Sequence, residues 1–143
     1  MQIRRLDKSH VGEVARLEFL CFSRPWSEKS LELLTTDAAV GFVAICDGCV
    51  AAYGGMMCVL DEGQITNIAT HPDFRRRGLA AAVTDALIGY AKENGICSIS
   101  LEVRESNLAA IALYERLGFV TVGKRPHFYS DPTEDALLME VRI

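Results

Sequence analysis

The chain has 143 residues, of which 50% are hydrophobic and 24% are charged. This length and composition are those of one folded domain, and they exclude a disordered chain. The net charge is −4, from 15 basic and 19 acidic side chains, which argues against a broad nucleic-acid or membrane-binding surface. We therefore expect a single domain over residues 1–143 in which any basic site is local.

No apolar run reaches the roughly 18 residues of a membrane-spanning helix, and the N-terminus lacks the apolar segment of a signal peptide. We therefore expect a cytoplasmic protein. The five cysteines leave one unpaired in any disulfide scheme, and most lie in apolar runs, so buried thiols are expected. Cys46 and Cys49 form a C-x-x-C with no second such pair and no histidine nearby, so no metal site is expected.

Through the first 70 residues, apolar side chains recur at helical or alternating spacing, with turn residues between them. Ser27 is placed to cap a helix that follows Pro25-Trp26. Asp47-Gly48 is a strong hairpin signal, which would bring Cys46 and Cys49 face to face. The predicted elements are a strand at 3–6, a helix at about 10–21, a helix starting after Ser27, a hairpin of 41–46 with 49–60, and a strand at 64–70.

The second half of the chain predicts a long helix after Gly78 that ends at Asn94-Gly95. Alternating residues then predict a strand with one packed face, and Ser106 or Asn107 caps a final helix that Gly118 ends. Strands and helices in this order indicate an α/β fold with a mixed sheet covered by helices. The remaining predicted strands are 96–103, 119–124 and 135–142.

The turn before the long helix has the sequence Arg75-Arg76-Arg77-Gly78-Leu79-Ala80. A helix N-terminus carries partial positive charge, so arginines placed there should cost roughly 0.3–1 kcal/mol each at low salt. A bound anion would reverse that sign. Gly78 and Ala80 are small enough to let phosphate oxygens approach the unpaired backbone N–H groups. The alternative is an ordinary solvated basic turn.

Two later side chains are candidates for chemistry. Glu102 lies near the carboxyl end of its strand, where α/β sheets bind ligands, and it shares a face with the small residues Ser98 and Ser100. Tyr114 falls on an apolar helical stripe, and its hydroxyl needs a partner or can donate a proton near a bound cofactor. The pattern alone leaves open a solvated strand face for Glu102 and a purely structural role for Tyr114.

Residues 75–80 resemble the acetyl-CoA motif Q/R-x-x-G-x-G/A of the GCN5-related N-acetyltransferases, the GNAT superfamily. Further segments are similar to one branch, the bacterial RimI-type enzymes that acetylate the N-terminal alanine of a small-subunit ribosomal protein. The resemblance implies the GNAT fold, with about seven mostly antiparallel strands, about four helices, and splayed central strands that hold the coenzyme. The matching segments are Pro25-Trp26-Ser27, Asn67-Ile68-Ala69, 101–104 with Ser106-Asn107, 112–119, and 134–137.

The same resemblance implies roles for particular residues. Acetyl-CoA is expected as co-substrate, with its pantetheine arm along the backbone at 68–70 and its pyrophosphate over residues 76–81. Glu102 would act as general base and Tyr114 as general acid, and Asn107 would contact the coenzyme. Trp26 and Tyr129 are expected to line the acceptor groove, although either could simply pack a loop. The implied coenzyme-binding residues are Ile68, Ala69, Thr70, Arg75, Arg76, Arg77, Gly78, Leu79, Ala80, Ala81 and Asn107.

The function implied is transfer of an acetyl group from acetyl-CoA to a primary amine, foremost the N-terminal alanine of a ribosomal protein. Acetylation of a small amine or a lysine side chain is an alternative, since the coenzyme half of the fold is shared within the superfamily. A third is a coenzyme-binding module without catalysis, against which the presence of both Glu102 and Tyr114 argues. No metal, nucleic acid or membrane is expected as a partner.

Overall fold

The structure, a computed structural model, describes residues 1–143 and contains one seven-stranded mixed sheet. The strand order is β1-β2-β3-β4-β5-β7-β6, and β4 with β5 is its only parallel pair. The predicted mixed, mostly antiparallel sheet is confirmed. The strands are β1 (Gln2–Arg5), β2 (Ala39–Cys46), β3 (Cys49–Val59), β4 (Glu62–Thr70), β5 (Ser98–Arg104), β6 (Val120–Tyr129) and β7 (Glu134–Arg142).

Four helices cover the two faces of the sheet. The first two pack over Val43 and Tyr53 on one face, and the last two pack over Ile99 and Leu101 on the other. None is long and apolar enough to cross a membrane. The helices are α1 (Val11–Cys21), α2 (Glu28–Leu31, continued by a 3-10 turn, Glu32–Thr35), α3 (Leu79–Glu93) and α4 (Leu108–Arg116).

Local sequence signals set most of the element ends. Asp47 and Gly48 both have positive φ, 52° and 76°, as a tight hairpin turn requires. The Ser27 hydroxyl accepts from Ser30 N at 3.2 Å and caps α2, and Asn107 Oδ1 accepts from Ala110 N at 3.2 Å and caps α4. These turns and caps depend on neighbouring residues alone, which explains why the sequence predicts them.

The expected burial of the cysteines is wrong. All five are free thiols, none is fully buried, and Cys49 and Cys97 are exposed. Cys46 and Cys49 do pair across the hairpin, as predicted. Cys49 is exposed because it is the first residue after the turn, and Cys97 because it precedes β5 in a connection outside the sheet.

Most strand boundaries differ from the prediction by one or two residues, and the end of β6 differs by five. β4 begins at Glu62, two residues early, because Leu60 adopts a positive φ of 57° and the turn ends sooner. β6 continues to Tyr129, five residues beyond its predicted end at Lys124. Pro126 is tolerated there because β6 is the outermost strand and its register shifts after Arg125. Tyr129, which is expected to line the acceptor groove, therefore lies at the end of a strand.

The centre of the sheet is open. β4 and β5 pair only where Glu62–Gln64 meet Ser98–Ser100, and beyond Gln64 the two strands have no ladder between them. A bulge in β4 accompanies the opening: Met56 pairs with Ile65 but Gly55 pairs with Asn67, so Thr66 is an extra residue. The cleft between the strands is the feature around which the candidate site is arranged.

Candidate active site

The N-terminus of α3 borders the cleft, and no side chain of the protein caps it. Gly78 has a left-handed conformation, with φ 75° and ψ 16°, and supplies no side-chain cap. The first turn contains no acidic residue, so its backbone N–H groups have no carboxylate partner. An anion approaching this turn would meet several N–H donors and the positive end of the helix dipole.

The three arginines before α3 are not neutralised by the protein, since none forms an ion pair with a carboxylate. The Arg77 guanidinium lies 5.0 Å from the Phe74 ring centroid, and Arg75 Nη2 lies 4.0 Å from Cys21 Sγ. Arg76 has a positive φ of 65°, which sharpens the turn. Unpaired positive charge beside unpaired N–H groups fits a phosphate-bearing ligand.

The backbone of β4 beyond Gln64 faces the cleft without a partner strand on its β5 side. This stretch includes Ile68, Ala69 and Thr70. Its other side is fixed by pairing with β3, as in Gly54 opposite Ile68. The Thr70 carbonyl accepts a hydrogen bond from Cys21 Sγ at 3.3 Å. An extended ligand could therefore add along this edge as a further strand would.

Glu102 projects from β5 on the α1 and α2 side of the sheet, since it alternates with the buried residues Leu101 and Val103. Its side chain is 9% exposed. Gln64 Nε2 lies 3.4 and 3.5 Å from the two carboxylate oxygens, and Arg125 Nε lies 3.5 Å from one of them. These contacts are long, so the carboxylate keeps lone pairs available to a closer donor.

Tyr114 lies on the opposite, α3 and α4, side of the sheet and is 8% exposed. Its ring packs against Phe119 with centroids 5.7 Å apart. Burial, with a smaller contribution from Tyr129, raises the pKa of Tyr114 to about 12, so the phenol is protonated at neutral pH. The hydroxyl is not fully enclosed and has no hydrogen bond within the protein.

Tyr129 lies within electrostatic range of both Glu102 and Tyr114. Burial, and to a smaller extent the charge of Glu102, raises the pKa of Tyr129 to about 12. Tyr129 in turn raises the pKa of Tyr114. The Arg104 guanidinium lies 4.5 Å from the Tyr129 ring centroid. Arg104 also donates to the Ser130 and Pro132 carbonyls at 3.1 and 2.9 Å, which ties the β6–β7 connection to β5. Tyr129 is thus the residue through which Glu102 and Tyr114 are linked electrostatically.

Two other predicted residues have structural contacts of their own. Asn107 uses Oδ1 to cap α4, which leaves its Nδ2 without a protein partner. Trp26 is partly buried against the α1 and α2 side of the core. Its backbone N–H donates to Glu18 Oε1 at 2.8 Å. The α1–α2 connection that carries Trp26 is also joined to the β6–β7 connection, since Arg24 Nε lies 2.8 Å from Asp131 Oδ2.

Three residues near the site are not predicted from the sequence: Glu18, Gln64 and Arg125. Gln64 and Arg125 flank Glu102 only because β4 and β6 converge on it in space. Glu18 did leave a signal, because it occupies the helical stripe of Val11, Val14 and Cys21 and therefore points towards the core. A charged residue on an apolar stripe is a candidate for a paired, functional group.

A family model described as Acetyltransferase (GNAT) family matches residues 11–119 of the chain. The chain belongs to the GNAT family. It is an acetyl-CoA-dependent N-acetyltransferase. No group of three or more His, Cys, Asp or Glu side chains is arranged to hold a metal ion.

This GNAT chain is similar over almost its whole length to [ribosomal protein bS18]-alanine N-acetyltransferase of Escherichia coli K12. The two are 36% identical, covering 99% of this chain and 97% of that relative. The enzyme of the same description from Salmonella typhimurium is 41% identical, covering 83% and 82%. The crystal structure of the Escherichia coli ribosomal-protein-S18-alanine N-acetyltransferase superposes with a TM-score of 0.92, covering 99% of this chain and 93% of that chain.

Proposed function

We propose that this N-acetyltransferase acetylates the α-amino group of the N-terminal alanine of a small-subunit ribosomal protein, the bS18 type on which its relatives act. The observation that carries the proposal is that Glu102 and Tyr114 both lie within electrostatic range of the same residue, Tyr129. Both side chains are nearly buried. The Glu102 carboxylate has only long contacts to the protein, and the Tyr114 hydroxyl has no hydrogen bond within it. The full-length similarity to enzymes with this acceptor supports its identity.

In this proposal the donor binds along the edge of β4 that faces the cleft, and over the turn before α3. Ile68, Ala69 and Thr70 would pair their backbone with the pantetheine arm. The N–H groups of residues 78–81 and the side chains of Arg75, Arg76 and Arg77 would hold the phosphates. The Nδ2 group of Asn107 is a free donor for the coenzyme. Acetyl-CoA supplies the thioester carbon that the acceptor amine attacks.

Glu102 is proposed as the base. An α-amino group has a pKa of about 7.7–8.0, so about a tenth to a fifth of it is neutral at pH 7. As the amine nitrogen bonds to the thioester carbon it becomes positively charged and must lose a proton. The Glu102 carboxylate accepts that proton directly or through water, and its long contacts to Gln64 and Arg125 leave room for it to do so.

Tyr114 is proposed as the acid. When the carbon–sulfur bond breaks, the electron pair goes to sulfur, which then takes a proton. With a pKa of about 12, the Tyr114 phenol holds its proton at neutral pH and can donate a hydrogen bond or the proton itself to that sulfur. Solvent returns the proton to the phenolate, and Glu102 releases its own, so the enzyme ends the cycle unchanged.

The acceptor would enter between the α1–α2 connection, which carries Trp26, and the end of β6, which carries Tyr129. The ion pair of Arg24 with Asp131 links these two connections. Both aromatic side chains are partly buried, so each can present apolar surface to a short peptide. An acceptor of this kind is an extended N-terminus and not a bulky folded surface.

The test is a peptide panel with acetyl-CoA, read by mass spectrometry. We expect acetylation of a peptide that begins with alanine, and none of the same peptide with its α-amine blocked and a lysine inside. Glu102→Gln should lower kcat by about 10²–10⁴-fold. Glu105→Gln removes an exposed partner of Lys124 and should leave kcat unchanged. Acetylation of the lysine or of small amines in preference to the α-amine would contradict the proposal.

A further inference from the structure

Glu18 is a carboxylate with 0% exposure in the middle of the fold. Both of its oxygens accept hydrogen bonds. Trp26 N–H donates at 2.8 Å, Tyr53 O–H at 2.9 Å, and Asn67 Nδ2 at 2.9 and 3.0 Å. No arginine, lysine or histidine forms an ion pair with it. Burial raises its pKa, so the fold retains a group that is costly to enclose.

The four groups of this network come from four separate parts of the chain. Glu18 lies on α1, Trp26 in the α1–α2 connection, Tyr53 on β3, and Asn67 on β4. The Trp26 contact is to a backbone N–H, so it fixes the path of the connection and not merely a side chain. Glu18 is therefore the point at which this connection is attached to the central sheet.

Asn67 lies at the β4 bulge, next to the cleft. The bulge turns both Thr66 and Asn67 towards α1 and α2. Thr66 Oγ1 and the Leu34 side chain lie on the same side of Gly55, since a Cβ on Gly55 would touch both. Asn67 donates a hydrogen bond to Glu18. Thr66 Oγ1 is also the one buried side-chain polar atom without a hydrogen-bond partner. The Glu18 network thus sets the separation between the Trp26 connection and the edge of the cleft.

We propose that Glu18 is a positioning residue for the acceptor, holding the Trp26 connection against β4 so that the acceptor entrance is formed before the peptide arrives. This inference rests on the proposed function and adds to it. Because Glu18 is enclosed, it acts through Trp26 and Asn67 and does not touch the acceptor. Without it, only a fraction of molecules would hold the entrance in its binding-competent form, and the acceptor KM would rise by the inverse of that fraction.

Glu18→Gln is the test variant, because glutamine has nearly the same shape but replaces one acceptor oxygen with a donor. Glu13→Gln is the matched control. Glu13 also lies on α1 and also accepts from a backbone N–H of the sheet, Val50 N at 3.0 Å, but it does not contact the Trp26 connection. Comparing the two variants separates a change at any hydrogen bond between α1 and the sheet from a change at this particular anchor.

Trp26 is the only tryptophan in the chain, so its fluorescence reports the connection directly. In Glu18→Gln we expect acrylamide to quench Trp26 more strongly, and the acceptor-peptide KM to rise by roughly tenfold or more with kcat less affected. The shift of the melting temperature by coenzyme A should match wild type. Glu13→Gln should leave the quenching and the KM unchanged. Wild-type quenching and acceptor KM in Glu18→Gln would overturn the proposal, as would an equal rise in both substrate KM values.

A second measurement needs no variant. In the wild-type protein the backbone amide proton of Trp26 should exchange with solvent about a hundredfold or more slowly than an unprotected amide, because it donates to an enclosed carboxylate. Exchange at the unprotected rate would overturn the anchoring even if Glu18→Gln fails to fold. If the wild type acetylates no peptide, the proposed function fails and the acceptor role with it. Quenching and exchange would still decide whether Glu18 anchors Trp26.

Discussion

Tyr114→Phe separates the chemical role of Tyr114 from its structural one. The hydroxyl has no hydrogen-bond partner in the protein, while the ring is 8% exposed and packs against Phe119. Phenylalanine keeps the ring contacts and gives up no internal hydrogen bond, so the free energy of unfolding should change by less than about 0.5 kcal/mol. Loss of a proton donor should lower kcat by about 10²–10⁴-fold, or about 2.7–5.4 kcal/mol of transition-state stabilisation.

The assay measures release of the coenzyme A thiol with an alanine-starting peptide, beside thermal unfolding with and without coenzyme A. Tyr90→Phe is the matched control, since Tyr90 is a partly buried tyrosine that packs against the same core from α3. We expect only Tyr114→Phe to lose turnover, with the melting shift by coenzyme A retained in both. Full activity of Tyr114→Phe would refute the reasoning, and so would a loss of turnover matched by an equal loss of coenzyme binding.

Three further substitutions test predictions about stability. Gly78→Ala should destabilise the fold by about 1–2 kcal/mol in chemical denaturation, because Gly78 has a left-handed φ of 75° although a Cβ there would meet no neighbour. Gly89→Ala in the interior of α3 also meets no neighbour and should stabilise by about 0.5–1 kcal/mol; the same sign for both changes would contradict the backbone argument. Glu134→Gln should lower the melting temperature at pH 7, because the hydrogen bond from Ser106, with Arg104 nearby, holds the pKa of Glu134 below its ordinary 4.5. A lowered pKa stabilises the fold above pH 4.5, so the difference from wild type should shrink as the pH falls further and the Glu134 carboxylate is protonated. A difference that is constant from pH 7 to pH 3 would refute that assignment.

Much of the fold could be predicted because its signals are local. The hairpin at Asp47-Gly48, the caps at Ser27 and Asn107, and the end of α3 near Gly95 each depend on residues within one turn of the chain. The end of β6 could not be predicted in the same way. Pro126 normally argues against a strand, and only the position of β6 at the sheet edge removes that objection.

Some parts of the candidate site could be predicted from the sequence and others could not. The turn at 75–80 combines charge, small residues and a following helix in one segment, so the sequence points to an anion site directly. Glu102 is visible as a carboxylate on a small polar strand face, but its neighbours Gln64 and Arg125 come from strands 38 and 23 positions away. Contacts of that range depend on how strands assemble, and alternation along one strand does not reveal them.

The sequence by itself determined the helices, the turns, the donor-binding motif and the two residues proposed for catalysis. It could do so because each follows from spacing along the chain or from a short motif. Only the tertiary structure decided where β4 separates from β5, and that Glu18 is enclosed at the centre of the network beside the cleft. Tyr53 and Asn67 lie 35 and 49 residues from Glu18 along the chain, so the hydrogen bonds that make its burial tolerable exist only once the sheet has formed around it.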